Sequence, residues 1–305
     1  LIHITVEGLA SEGLSLHEVH KDAGKMAQAA ASTFKLTGMP SATLPLDLCA
    51  PAEALGAELN FYEGGELQFP QVKKFICESA KEISGLEIED WERGRIPLIC
   101  EALKLLKDDI GKEVAISGLI PGPYTLLLYL CNPINLFMEM KKEPQVVKDA
   151  LGHLSLFLAK IGKQYRNAGA DFITIHEMGG SPGFIGPAKF EQFILPALKG
   201  LHTQLPSPRV LSVCGNVTKS FAALSQTGAD AVSIDQTVDL AAARSALKDT
   251  LLFGNLDPMA TLFAGDEDSV RESTRKAKEA RADAIMPGCD LVMQTPIKNL
   301  REMLK

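Results

Sequence analysis

The feature that most constrains this chain is an alternation. Short apolar runs rich in β-branched residues recur along its 305 residues, each followed by a longer segment of helical period. The runs are LIHIT (1–5), TLPLDL (43–48), EVAISG (113–118), FITI (172–175), RVLSVC (209–214), AVSID (231–235), LLFGNL (251–256) and AIMPGC (284–289), eight in all. Strands separated by helices are joined by crossovers, which makes neighbouring strands parallel. Eight such units predict an α/β fold of the (β/α)8 or TIM-barrel type, and barrels of about 250 residues or more fold as one domain.

Helices are expected at roughly 20–36, 70–82, 91–109, 124–131, 144–168, 187–204, 218–228, 239–248, 267–280 and 296–304. Asp257 before Pro258 reads as a helix cap. Nothing divides the chain, so residues 1–305 are expected to form a single barrel, with a long βα insertion at about 49–112 that suits a lid or a docking surface.

Composition narrows the partners. The net charge of −7 and the absence of basic runs argue against a nucleic-acid surface, leaving small molecules or proteins. There is no apolar stretch of about 18 residues and no signal-like start, so a cytoplasmic protein without a membrane span is expected. The six cysteines lie far apart and suit free thiols more than a disulfide framework.

In parallel barrels the active site gathers at the C-terminal ends of the strands. The strand-end residues here include His3, Thr5, Asp47, Cys49, Ser117, His176, Glu177, Ser212, Cys214, Asn216, Asp235, Gln236, Asn255, Asp257, Cys289 and Asp290. An Asp or Asn in such a place also caps the following helix, but capping does not explain two cysteines and a glutamate. Glu177, Cys214 and Cys289 together make a three-ligand set for Zn2+ with a fourth position left for substrate, as catalytic zinc requires. His176 competes with Glu177, because alternation along a strand turns the two to opposite sides and parity alone does not say which is inward.

Longer segments carry a resemblance. LPLDLCAPAEALGAEL (44–59), SGLIPGPYTLLLYL (117–130), GFIGPAKFEQFILPALKGL (183–201), CGNVTKSFAALSQTGADAVSIDQTVDLAAAR (214–244), FGNLDP (253–258) and PGCDL (287–291) resemble the uroporphyrinogen decarboxylase superfamily over nearly the whole chain. The closer likeness is to its corrinoid-dependent methyltransferase branch, the methylcobalamin:coenzyme M methyltransferase-like enzymes. That branch carries His-x-Cys-Gly-Asn at the fifth strand and a Cys at the eighth, and these hold zinc. Cys214 and Cys289 match the two cysteines, whereas the histidine position is Ser212. The arginine motif with which decarboxylases bind porphyrin carboxylates has no counterpart in LIHITVEGLA.

The resemblance implies a zinc methyltransferase that moves a methyl group between a corrinoid (cobalamin) protein and a small donor or acceptor, such as a thiol or a methoxylated compound. It implies Glu177, Cys214 and Cys289 as metal ligands. Asp47, Asn216, Asp235 and Asn255 are then expected to act in catalysis or to contact substrate, and Tyr124 and His176 to line the cofactor pocket. A homodimer is left open. The alternatives are a tetrapyrrole decarboxylase that needs Asp47, and a non-catalytic corrinoid-binding relative.

Overall fold

The computed structural model describes all of residues 1–305. Its strands in chain order are β1 (Ser41–Leu44), β2 (Leu59–Asn60), β3 (Gln71–Val72), β4 (Ala115–Pro121), β5 (Phe172–Glu177), β6 (Arg209–Val213), β7 (Ala231–Ile234) and β8 (Leu251–Phe253). Six of them form one parallel sheet in the order β1-β4-β5-β6-β7-β8. Helices cover its outer face, including Ala23–Thr37, Ile96–Ile110, Pro144–Asn167, Leu195–Gln204 and Glu267–Glu279.

The other two apolar runs continue the ring beyond β8 without forming full ladders. Residues 284–289 meet the last strand through single parallel bridges, Phe253 to Ala284 and Leu256 to Pro287. Residues 1–5 are extended and join the far side of that run, where Leu291 N donates to the carbonyl of Ile2 and Val6 N to that of Met293. Thr5 then caps the helix Val6–Ser11. All eight runs wall one interior cavity of about 300 Å³, to which His3, Thr43, Ser117 and Thr174 contribute on one side and Ser212, Ser233, Phe253 and Met286 on the other.

Alternation decides what each side of a strand does. In β5, Phe172 and Thr174 line the interior, and Ile173 lies against Gly162 of the covering helix. His176 therefore faces inward and Glu177 outward.

The segment 49–112 differs from the expected run of helix. No α-helix forms over the stretch expected as the helix 70–82: it begins in the hairpin strand β3 and ends in the 3-10 turn Ala80–Gly85. Gln71 and Val72 are taken into the ladder with Leu59 and Asn60, so they do not start a helix. A further helix, Pro133–Lys142, follows Pro123–Leu130 and was not expected. No helix of the chain is long and apolar enough to cross a membrane.

Candidate metal centre

At the C-terminal mouth of the sheet, β5, β6 and the loop at 287–290 bring His176, Cys214 and Cys289 together. Cys214 Sγ lies 3.6 Å from Cys289 Sγ and 3.7 Å from His176 Nε2, and the three donor atoms all lie within 4.8 Å of one another. Tetrahedral zinc with Zn–S near 2.3 Å and Zn–N near 2.0 Å sets an S···S edge of about 3.8 Å and an N···S edge of about 3.6 Å. The donor set therefore fits Zn2+ both in chemistry and in spacing. A fourth position remains.

The surroundings favour the metal-binding protonation state at two of the three donors, His176 and Cys289. Burial lowers the pKa of His176, which keeps the imidazole neutral. The hydrogen bond between the two thiols, with burial, raises Cys214, and the same bond lowers Cys289, so Cys289 is the first to become a thiolate. His176 Nδ1 sits 3.0 Å from Ser212 Oγ, its register partner on β6. That contact fixes the ring and leaves Nε2 for the metal, the usual arrangement of a ligating histidine with a hydrogen-bonded second nitrogen.

Backbone geometry shapes the loop carrying Cys214. Gly215 has φ of +72°, in the left-handed region, and Gly183 packs so closely on the Cys214–Gly215 backbone that a side chain there would meet it. Ser181 donates its hydroxyl to the Cys214 carbonyl. Asp235 accepts from Gly215 N at 2.8 Å and from the backbone and hydroxyl of Thr237. Asn255 donates to the carbonyls of Asp235 and Val238, and Asn216 to that of Thr237. These three, expected to act in catalysis or to contact substrate, tie the loops after β6, β7 and β8 to one another.

Three expected site residues are placed elsewhere. Glu177 is not beside the cysteines: its fully buried carboxylate accepts from Tyr124 N, Thr125 N and Gly180 N at 3.0 Å each and from the Thr125 hydroxyl at 2.6 Å. It thereby closes the N-terminus of the helix Pro123–Leu130, where free N–H groups attract an anion. Burial raises its pKa, and the four donors pull the other way. Tyr124 is buried in the core with its hydroxyl on the sulfur of Met140, so it does not line the metal centre.

Asp47 is not a free carboxylate. Arg95 grips it with two hydrogen bonds of 2.8 and 3.1 Å, and His20 Nδ1 lies 3.2 Å away. Burial opposes its charge, but Arg95 and His20 more than offset this and hold it well below the usual carboxylate range. Sequence reasoning missed Arg95 and His20, because each is distant from Asp47 in the chain, His20 ahead of the first full strand and Arg95 within the insertion. Ser181, within the GGSPG turn, was equally hidden.

A parallel barrel with one histidine and two cysteines at its mouth belongs with enzymes that work at a bound metal. The sequence matches the uroporphyrinogen decarboxylase family over residues 4–305, and the chain belongs to that family. It is 32% identical to the methylcobamide:CoM methyltransferase MtbA of Methanosarcina acetivorans, over 99% of this chain and 89% of that protein. The uroporphyrinogen decarboxylase of a Geobacter species is 29% identical over 80% of this chain and 71% of its own length. Among solved structures, a methyltransferase from Methanosarcina mazei superposes with a TM-score of 0.93 at 26% identity, covering 98% of this chain and 89% of that one.

Proposed function

We propose that this chain moves a methyl group between the corrinoid of a partner protein and a small thiol, with Zn2+ held by His176, Cys214 and Cys289. It is a corrinoid-dependent methyltransferase, in keeping with the names of its relatives. Those names also supply the thiol, since several specify transfer to coenzyme M. The observation that carries the metal assignment is the spacing of the three donor atoms.

Zinc, when bound, supplies a Lewis acid that favours the deprotonated form of a thiol near neutral pH. The protein's part is to hold two thiolates and a neutral imidazole in fixed positions and to leave the fourth corner open. Ser212 orients His176, Asp235 and Ser181 hold the Cys214 loop, and the mouth admits the partner. The residues would hold the metal so that a bound thiol gives up its proton to solvent, and its sulfur could then take the methyl group, the S–C bond replacing the Co–C bond, whose electron pair would stay on the partner's cobalt.

A decarboxylase reading needs Asp47 free for substrate, and its two hydrogen bonds from Arg95 speak against that. We read the chain as working beside a corrinoid protein in the cytoplasm, and no helix of it is long and apolar enough to cross a membrane. The test is methyl transfer from methylcobalamin to a thiol panel by the purified chain. Turnover that is lost on chelation and restored by zinc supports the proposal, and turnover indifferent to chelation contradicts it.

A further inference from the structure

His176 does not stand alone on its level of the sheet. It pairs in register with Ser212 on β6, and Ser212 pairs with Ser233 on β7. Register partners on parallel strands share a face, so the three side chains form one inward row across neighbouring strands about 4.8 Å apart. The row has apolar ends, with Pro121 of β4 beside His176 and Phe253 of β8 beside Ser233. All three polar members are buried, and both serines face the interior cavity.

Once Nε2 of His176 holds a metal, the hydrogens of this row run in one direction. Nε2 offers its lone pair, so Nδ1 carries the ring proton and donates it to Ser212 Oγ, 3.0 Å away. The Ser212 hydroxyl then has its own proton left to give, and its one bonded contact, His176, is no longer an acceptor. On the next strand, the buried Ser233 Oγ has no partner among the protein atoms. A donor in need of an acceptor therefore sits in register beside an unused oxygen. The cavity leaves Ser233 room to turn about χ1 and present that oxygen to Ser212.

Without metal the row has no such need. The ring proton can sit on Nε2, toward Cys214 Sγ at 3.7 Å, and Nδ1 then accepts from the Ser212 hydroxyl. Ser233 is called on in the metal-bound form alone, so its contribution falls on metal affinity and not on the stability of the metal-free fold.

We infer that Ser233 is a positioning residue of the metal centre: it accepts the hydrogen bond of Ser212 and so holds the Nδ1-protonated ring of His176 with Nε2 turned to the metal. The inference rests on the metal assignment proposed above and extends it two strands beyond the ligand.

Thr and Val have nearly the same shape and differ in the hydroxyl, so Ser233→Thr and Ser233→Val separate hydrogen bonding from packing. Zinc affinity of the full chain is measured by competition with a chelating dye, and urea denaturation of the metal-free proteins is followed on the same preparations. Ser233→Val is expected to bind zinc about tenfold more weakly than Ser233→Thr, while its metal-free form is at least as stable. In a Ser212→Ala background the difference in affinity between the two is expected to vanish, because the row is cut between position 233 and the ring. Equal affinities for Ser233→Val and Ser233→Thr, or a difference that persists without the Ser212 hydroxyl, would overturn the inference and leave the metal assignment standing. Failure of the wild type to take up zinc would overturn the metal assignment and the inference with it.

Discussion

Cys214 Sγ and Cys289 Sγ lie 3.6 Å apart although 75 residues separate them in the chain. A disulfide would need about 2.05 Å. The observed spacing is instead close to the sulfur–sulfur edge of a zinc tetrahedron, and His176 Nε2 completes a face of it at 3.7 Å from Cys214. Each expectation below depends on that arrangement or on the residues that support it.

His176 and Glu177 are neighbours with opposite duties, and paired variants separate them. His176→Ala is expected to lose stoichiometric zinc while remaining folded. Glu177→Ala is expected to keep the three donors yet to lose at least about 3 kcal/mol of stability, because it leaves the buried N–H groups of Tyr124, Thr125 and Gly180 without an acceptor. Zinc content and urea denaturation on the same preparations read the two effects. Loss of zinc from a folded Glu177→Ala protein would reverse the assignment.

Gly122 leaves the room that Glu177 occupies, since a Cβ there would collide with its carboxylate. Gly122→Ala is therefore expected to lower stability by about 1–3 kcal/mol through overpacking, again with zinc retained. A variant as stable as the parent would show that the helix start can shift to make space.

In the proposed centre Ser212 would act on the metal through its contact with His176. Removing the oxygen in Ser212→Ala is expected to weaken zinc affinity about 10–100-fold, as loss of a partner to a ligating histidine commonly does. Competition with a chelating dye measures this, and Ser212→Thr, which keeps a hydroxyl, is expected to recover most of the loss. Equal affinities for all three proteins would mean that the ring is fixed by packing alone.

Acid sensitivity has an identifiable source away from the metal. His202 is buried against the carbonyl of Thr227 at 2.8 Å, and burial lowers its pKa from 6.5 to about 4. Between those values the unfolded chain binds a proton that the folded chain refuses, so stability falls as pH drops from about 6.5 toward 4. The loss approaches about 3 kcal/mol for this one group. His202→Gln is expected to flatten the decline in Tm over that range, and an unchanged pH profile would assign the decline to other groups.

The barrel was legible because alternation of apolar runs and helical segments is a local pattern, repeated often enough to count. Its two remaining runs were recognisable by composition, but their hydrogen bonding was not: residues 1–5 and 284–289 make only scattered backbone contacts with their neighbours. The two cysteines were found from strand ends and from family likeness. The third donor was ambiguous, because FITIHE places His176 and Glu177 on opposite faces and the sequence does not mark the inner one. What decides it is long-range: Glu177 meets the start of the helix Pro123–Leu130, more than 50 residues earlier. The partners of Asp47 were hidden for the same reason, since Arg95 lies 48 residues away, inside the insertion.

The metal content of the purified chain tests the central claim most directly. The wild type is expected to carry one zinc per chain, and Cys214→Ala/Cys289→Ala to carry none, measured by elemental analysis after exhaustive dialysis with a folded state verified by circular dichroism. A wild type without zinc after incubation with the metal, or a double variant that keeps it, would contradict the account.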